Sequence, residues 1–443
     1  MKLSELHTTL QRLGAQPTKS LGQNFLHDKN LAEWIVGQAA ISPGDAWLEI
    51  GPGLGALTEI AARRSPHGTL IEKDDRLIAH LRDRFPQLRV IHADAAHWDV
   101  RELLPEGRCT IFGNLPYYVS SQILFNFTVP FLPAPRLIFT LQKELALRLA
   151  AAPGTRDFGA PTVLIGRRWN VRILKNLPPS VFTPVPKVES TVIALEPREA
   201  GELPVCEESR FVALVKQGFS QRRKQLGNLL DLADWPAAAA HVGVPVTARA
   251  ESLSIAQWCH LAAWESGVAL DGGGQKAQDV HAEIFDVVDE NDVVVGQKTR
   301  HEVHQKKLRH RAVHIFVLND SGELFLQRRS RWKDTHPLKW DSSAAGHVDS
   351  GETYEGSAKR EIREELGIDA SVTLHAKIEA CAETGEEFVH LYVARHEGPF
   401  QLPPAEIDCG AWFSPQLIER WSKARPEDFA SGFLKCWEHW RAR

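Results

Sequence analysis

The sequence predicts an α/β protein made of two separate domains. At 443 residues the chain is longer than one hydrophobic core usually serves, which points to two or three domains. In its first 200 residues short β-type runs alternate with helical ones, the rhythm of βαβ units and of a parallel sheet covered on both faces. Further on, this gives way to mixed strands around one strong helix. The strands expected in the first part are 46–50, 68–72, 88–92, 109–113 and 136–141, with 169–174 and 190–195 as a hairpin closing the sheet. Residues 205–266 keep helical spacing with Asp234, Pro236 and Gly243 as breakers, which predicts a small helical subdomain. Residues 267–278, with Gly272-Gly273-Gly274, have the composition of a flexible linker. Beyond it, strands are expected at 280–288, 312–318, 324–327 and 388–395, around a helix from Thr353 to Glu365. The domains are therefore 1–200, a helical subdomain 201–266, a linker 267–278 and a second domain 279–443.

A hydrophobic fraction of 43% and a charged fraction of 24% are those of ordinary globular protein and leave little room for long disorder. The net charge of -4 hides an asymmetry: residues 1–270 carry about 29 basic against about 26 acidic side chains, and the remainder is acidic. An excess this small does not establish nucleic-acid binding, so the placement of the basic residues must carry that argument. Six cysteines, Cys109, Cys206, Cys259, Cys381, Cys409 and Cys436, include no CxxC pair, and free thiols in a reducing compartment are expected. Met1 to Gln16 lacks the apolar run of a signal peptide, and no segment approaches the ~20 apolar residues that span a bilayer. A cytoplasmic protein with no membrane partner is expected.

The first strand runs into Leu48-Glu49-Ile50-Gly51-Pro52-Gly53-Leu54-Gly55-Ala56, a glycine-rich turn, and the second ends in Glu72. Glycines let backbone approach a ligand closely, and an acid about 20 residues on can bind both ribose hydroxyls. Taken alone, Gly51, Gly53 and Ala56 also satisfy a dinucleotide pattern. The end of the fourth strand, Asn114-Leu115-Pro116-Tyr117, decides the matter. An exocyclic amino group on a base is a poor nucleophile, because its lone pair is delocalised into the ring. Hydrogen bonds from it to the Asn114 side-chain oxygen and to a carbonyl beside Pro116, with Tyr117 stacked on the base, would aim that lone pair at an activated methyl. No strong general base is required. Asp94, ending the third strand, is placed to accept from the adenine amino group of a cofactor.

Residues 1 to about 265 thus resemble the adenine dimethyltransferases of small-subunit ribosomal RNA. Lys19-Ser20-Leu21-Gly22-Gln23-Asn24-Phe25-Leu26, the glycine turn, Asn114-Leu115-Pro116-Tyr117, Leu141-Gln142-Lys143-Glu144, Pro153-Gly154-Thr155, Val181 through Ser190 and Phe219-Ser220-Gln221-Arg222-Arg223-Lys224 carry the resemblance. It implies a Rossmann-like class I methyltransferase with S-adenosylmethionine contacts at Asn24, Leu26, Gly51, Gly53, Glu72, Asp94 and Asn114. It also implies transfer of two methyls to N6 of each of two adjacent adenosines near the 3′ end of small-subunit rRNA, in an immature ribosomal subunit. Asn114, Pro116 and Tyr117 would act at the target base, and Phe182, held by Pro184 and Pro186, would stack on its other face. Tyr118 stands where many relatives have Asn, a tolerated variation. Arg222, Arg223 and Lys224 are expected to open a helix of the subdomain and to contact RNA phosphates.

The second domain holds Gly346-His347-Val348-Asp349-Ser350-Gly351-Glu352, continuing to Arg360-Glu361-Ile362-Arg363-Glu364-Glu365-Leu366-Gly367-Ile368. Glu361 and Glu365 lie one helical turn apart with Glu364 beside them, so three carboxylates converge. Mg²⁺ relieves their repulsion, taking hard oxygen ligands while keeping waters, and a bound metal polarises a phosphoryl oxygen and activates water. Arg360 can orient a glutamate, and Gly346 and Gly367 let the loops fold onto the helix.

Residues 279–443 therefore resemble α/β/α Nudix hydrolases, and more narrowly a branch similar to isopentenyl-diphosphate isomerase. The narrower signs are Val288-Asp289-Glu290-Asn291-Asp292, Leu308-Arg309-His310-Arg311-Ala312 and Gln327-Arg328-Arg329-Ser330. The resemblance implies that His304, His310 and especially His347 help hold metal, and that Arg329 and Lys333 hold a substrate diphosphate. Where the isomerase carries a catalytic cysteine, this chain reads Asp341-Ser342-Ser343-Ala344-Ala345, so hydrolysis of a small-molecule diphosphate is expected rather than alkene isomerisation. A monomer joining both enzymes is the expectation. The alternatives are methylation of large-subunit rRNA, a ribosome-assembly checkpoint factor with secondary catalysis, and an isomerase-like activity of the second domain.

Overall fold

The computed structural model describes residues 3–14, 23–199, 201–266 and 283–442. The expected linker, residues 19–22 of the N-terminal motif, and residues 280–282 of the strand expected at 280–288 lie outside the described residues. The chain divides into two compact units, Met1–Leu203 with Leu214–Trp258 and Pro204–Ala213 with Cys259–Arg443. This division runs through the helices Glu208–Gly218 and Ile255–Ser266, which the sequence reading assigned whole to the helical subdomain.

In the first unit, β1 (Ala46–Ile50), β2 (Gly68–Glu72), β3 (Arg89–His92), β4 (Cys109–Asn114), β5 (Leu137–Gln142), β6 (Trp169–Leu177) and β7 (Ser190–Pro197) form one sheet. Their order is β3-β2-β1-β4-β5-β7-β6. The first five strands pair in parallel, and β7 runs antiparallel to β5 and β6, so the expected hairpin does close the sheet. Successive side chains point to opposite faces. Trp47, Leu70, Phe112 and Ile138 join one core with Leu6, Ile35 and Leu81 from flanking helices. Leu48, Ile71, Ile111 and Phe139 join a second with Ile123, Phe127 and Leu149. Burial on both faces is why these strands read as nearly unbroken apolar runs. Among the helices after β7, Trp235–Val242 begins where Asp234 Oδ1 accepts from the Ala237 N–H at 3.0 Å and stops at Gly243, φ +73°. Two of the expected breakers, Asp234 and Gly243, are thus its caps, and Pro236 sits in its first turn.

In the second unit, β8 (Ile284–Val288) and β9 (Val294–Thr299) pair antiparallel as a two-stranded sheet. The main sheet holds β10 (His310–Leu318), β11 (Leu324–Arg329), β12 (Trp340–Asp341), β13 (Ala344–His347), β14 (Thr373–Ile378), β15 (Glu387–Arg395) and β16 (Ile407–Phe413). The path is β12-β11-β10-β15-β14, with β13 also on β10 and β16 on β11. The acidic helix Tyr354–Leu366 packs Ala358, Ile362 and Leu366 against Val313, Ile315 and Val317 of β10. Phe316 points the other way, 5.8 Å from Phe433 on the helix Ser431–Arg441. Helices therefore cover both sheet faces, the α/β/α arrangement the resemblance implied. Thr353 caps the acidic helix by accepting from the Gly356 N–H at 3.1 Å, and Gly367 ends it at φ +68°.

Candidate active sites

The strand order reverses between β1 and β4, the place where open α/β sheets bind ligands. A cleft opens there, and Asn24, Leu26, Gly51, Gly53, Glu72, Asp94, Asn114, Pro116 and Tyr117 all line it. Gly51 and Gly53 turn the chain at φ +65° and +57°, conformations that favour glycine and bring backbone to the ligand surface. Glu72 closes this turn: Oε2 accepts from the Gly53 N–H at 3.2 Å, and Oε1 from the N–H groups of Lys73 at 2.8 Å and Asp74 at 2.9 Å. Burial pushes the Glu72 pKa up, against those hydrogen bonds. At Asp94 burial also works upward, but donors from Lys73 Nζ at 2.7 Å and the Ala96 N–H at 3.0 Å hold its carboxyl below the usual range.

Asn114 ends β4. Its Nδ2 donates to the Asn24 carbonyl at 2.8 Å, and its Oδ1 is buried with no partner. An orphaned buried acceptor costs on the order of 1–3 kcal/mol, a debt that an incoming amino group would cancel. The Tyr117 hydroxyl shares a 2.5 Å hydrogen bond with Ser190 Oγ, and burial raises the phenol pKa. A glycine cradle, the carboxylate of Glu72 beside it and the ionised carboxylate of Asp94 are a set of groups that fits S-adenosylmethionine.

Sequence reasoning missed Ser190, which tethers the Tyr117 hydroxyl, and Glu49. Glu49 lines the cleft, is 1% exposed, and accepts from Thr58 Oγ1 at 2.5 Å. Burial, with the charge of Glu72 adding to it, pushes its pKa to about 8. An acid inside an otherwise apolar strand was the available signal.

Two expectations are corrected in this unit. Phe182 is 1% exposed and belongs to the core with Leu31 and Ile35, because its strand residue pairs with Leu26; it offers no open ring face to a base. Arg222, Arg223 and Lys224 do not open a helix, since the helix Glu208–Gly218 ends before them and they form an exposed turn. Arg222 donates to the carbonyls of Arg156 at 2.5 Å and Phe158 at 3.4 Å, fastening that turn. Arg223 and Lys224 remain exposed.

In the second unit the acidic helix presents Glu361 and Glu365, 8% and 6% exposed, while Glu364 faces solvent. Arg360 spans the cluster, donating to Glu361 at 2.7 Å, Glu364 at 3.2 Å and Glu352 at 3.0 Å. Glu365 Oε2 accepts from Gln327 Nε2 at 2.8 Å and the Ala345 N–H at 3.1 Å; Gln327 is a positioning residue the sequence did not reveal. Burial first, and then the neighbouring Glu365, push Glu361 to about 8. Burial first, opposed by Lys333 and reinforced by Glu406, pushes Glu365 to about 7. Gly346 approaches so closely that a Cβ there would lie 2.0 Å from Glu361 Oε1. Buried hard oxygens that ionise reluctantly fit a divalent cation, which would stabilise their charged form.

His347 is not a member of this glutamate set. It follows Gly346 on β13, so its side chain points to the opposite face. There His304, His310 and His347 bring ligating nitrogens within 4.8 Å of one another. Glu387 Oε1 lies 3.2 Å from His347 Nε2 and 3.4 Å from His310 Nε2, and the latter nitrogen is buried without a hydrogen-bond geometry. Burial lowers His347 to about 4, leaving neutral imidazole. The expected diphosphate ligands are both engaged: Arg329 with Asp341 at 3.0 Å and Thr335, and Lys333 with Glu406.

The family description "Ribosomal RNA adenine dimethylase" matches residues 14–266, and "NUDIX domain" matches residues 308–431. The ribosomal RNA small subunit methyltransferase A of Alkaliphilus oremlandii is 42% identical over 224 residues, 49% of this chain and 78% of its own. That of Thiobacillus denitrificans is 39% identical over 251 residues, covering 56% of this chain and 97% of its own. The crystal structure of DR0079 from Deinococcus radiodurans matches at 32% identity over 36% of this chain and 98% of its own, with a TM-score of 0.32. No helix among the described residues is long and apolar enough to cross a membrane.

Proposed function

The chain belongs to the ribosomal RNA adenine dimethylase family and carries a NUDIX domain, and from that premise we propose that its first unit dimethylates N6 of two adjacent adenosines near the 3′ end of small-subunit rRNA. The names of the relatives, small subunit ribosomal RNA methyltransferases, support the small-subunit rRNA as substrate, and we take it in an immature ribosomal subunit. The observation that carries this reading is the buried, unpartnered Oδ1 of Asn114 beside Tyr117. S-adenosylmethionine, when bound, supplies an activated methyl on its sulfonium sulfur. Asn114 accepts a hydrogen of the target amino group, which returns lone-pair density to the nitrogen. Tyr117, tethered by Ser190, supports the ring, Glu72 receives the ribose hydroxyls, and Asp94 receives the cofactor's amino group. Incubating the full chain with immature small subunits and methyl-labelled cofactor tests the proposal. Dimethyladenosine in that rRNA is expected, and no label in it, with label entering large-subunit rRNA in a parallel incubation with large subunits, would refute it.

For the second unit we propose Mg²⁺-dependent hydrolysis of a diphosphate-linked small molecule, with Glu361, Glu364 and Glu365 holding the ion. Mg²⁺ would supply charge to a phosphoryl oxygen and an acidified water. Arg360 and Gln327 hold the glutamates, and Lys333 stands close enough to Glu365 to lower its pKa. His304, His310, His347 and Glu387 are proposed as a second cation site, whose imidazoles suit a transition metal. A panel of nucleotide and isoprenoid diphosphates, read by phosphate release and by isomer conversion, tests this. Isopentenyl conversion without phosphate release would refute it.

A further inference from the structure

Tyr118 follows the Asn-Leu-Pro-Tyr turn, lines the same cleft as Glu72, Asp94 and Asn114, and is 57% exposed. Its hydroxyl makes no hydrogen bond among the described residues. The next residue, Val119, belongs to one core with Ala95, the neighbour of Asp94, and all of them line the cleft. Tyr118 is thereby placed on the stretch of the cleft wall that Asp94 and Ala95 also line. Ala95, Val119 and Ile123 supply an apolar floor there. An aromatic ring on the same wall as such a floor and an ionised acceptor has the chemistry of a purine pocket.

We propose that Tyr118 is a cofactor-binding residue, an aromatic wall against the adenine ring of S-adenosylmethionine and of its demethylated product. Asparagine at this position has no ring face to offer, so the departure is a gain in binding rather than a neutral change. The inference rests on reading the cleft as the S-adenosylmethionine site. Base stacking on an aromatic side chain changes affinity by roughly tenfold.

Isothermal titration of the full chain with S-adenosylhomocysteine compares the parent with Tyr118→Asn, Tyr118→Ala and Tyr118→Phe. The Asn and Ala variants should raise Kd roughly tenfold, and Phe should bind like the parent. The same ratio should appear with 5′-methylthioadenosine, which keeps the adenine and drops the amino-acid tail. An unchanged melting temperature without ligand guards against a folding effect, as expected for an exposed side chain. Equal Kd values in all variants would overturn the proposal. A normal Kd with a raised KM for rRNA would also overturn it, by placing the ring against a target-strand adenine. If the parent itself fails to bind S-adenosylhomocysteine, the reading of the cleft fails rather than the role of Tyr118.

Discussion

Asn114 has one amide with two tasks: Nδ2 holds the Asn24 carbonyl and Oδ1 waits for a donor. Removing it should therefore separate chemistry from binding. Asn114→Ala is expected to lower methyl transfer by on the order of 100-fold or more, since misplacing a reacting group costs that much. S-adenosylhomocysteine binding should be weakened but still measurable by titration, because Gly51 and Glu72 make separate contacts. Near-normal dimethylation by this variant would contradict the site. Glu49 gives a pH prediction. Its folded pKa is raised from 4.5 to about 8, so the native state holds its proton more tightly than the unfolded chain. Its contribution is fully present below about 4.5 and is lost as pH rises through about 8. Glu49→Gln removes that dependence, so its melting temperature relative to the parent should climb between pH 5 and pH 9. A difference that stays flat across this range would argue against a buried neutral carboxyl.

The acidic helix illustrates how an element carries a site. One stripe, Ala358, Ile362 and Leu366, anchors it to β10, and the adjoining positions Glu361 and Glu365 are thereby buried. Glu361→Gln or Glu365→Gln keeps the shape and deletes one ligand charge, so diphosphate hydrolysis should be lost while rRNA methylation by the same protein stays unchanged. Phosphate release and methyl incorporation measured in parallel check this, and unchanged hydrolysis in Glu365→Gln would show the site to be misread. The loop facing the helix is equally exacting. Gly346→Ala places a methyl 2.0 Å from Glu361 Oε1, and a contact that short must displace the carboxylate or the strand. Metal affinity should fall in this variant while the far-ultraviolet circular dichroism of the helix is retained; parent-like metal binding would contradict the close approach.

At the scale of the whole molecule, the glycine-rich stretch leads to a prediction about modularity. Cleavage within residues 272–275 should leave two soluble fragments, the first methylating rRNA and the second hydrolysing diphosphates, because a glycine-rich connection transmits little. Insoluble or inactive fragments from an active parent would show that the halves depend on each other. Features set by local spacing could be read directly from the order of residues. Unbroken apolar runs alternating with helical segments specified the parallel sheet, Gly51 and Gly53 the ligand turn, Asn114 its place at a strand end, and the four-residue step from Glu361 to Glu365 a shared helix face. Strands without such a pattern were not legible: β9 is almost wholly exposed and β12 has two residues. Only the tertiary structure decided which partner each side chain meets. It buried Phe182 beside Leu26, turned Arg222 onto the carbonyls of Arg156 and Phe158, gave Arg329 and Lys333 to Asp341 and Glu406, and set His347 with His304, His310 and Glu387. The physical reason is that spacing along one strand or helix sets the direction in which a side chain leaves the backbone. The group waiting there is contributed by another part of the chain, 40 residues away for His347 and Glu387.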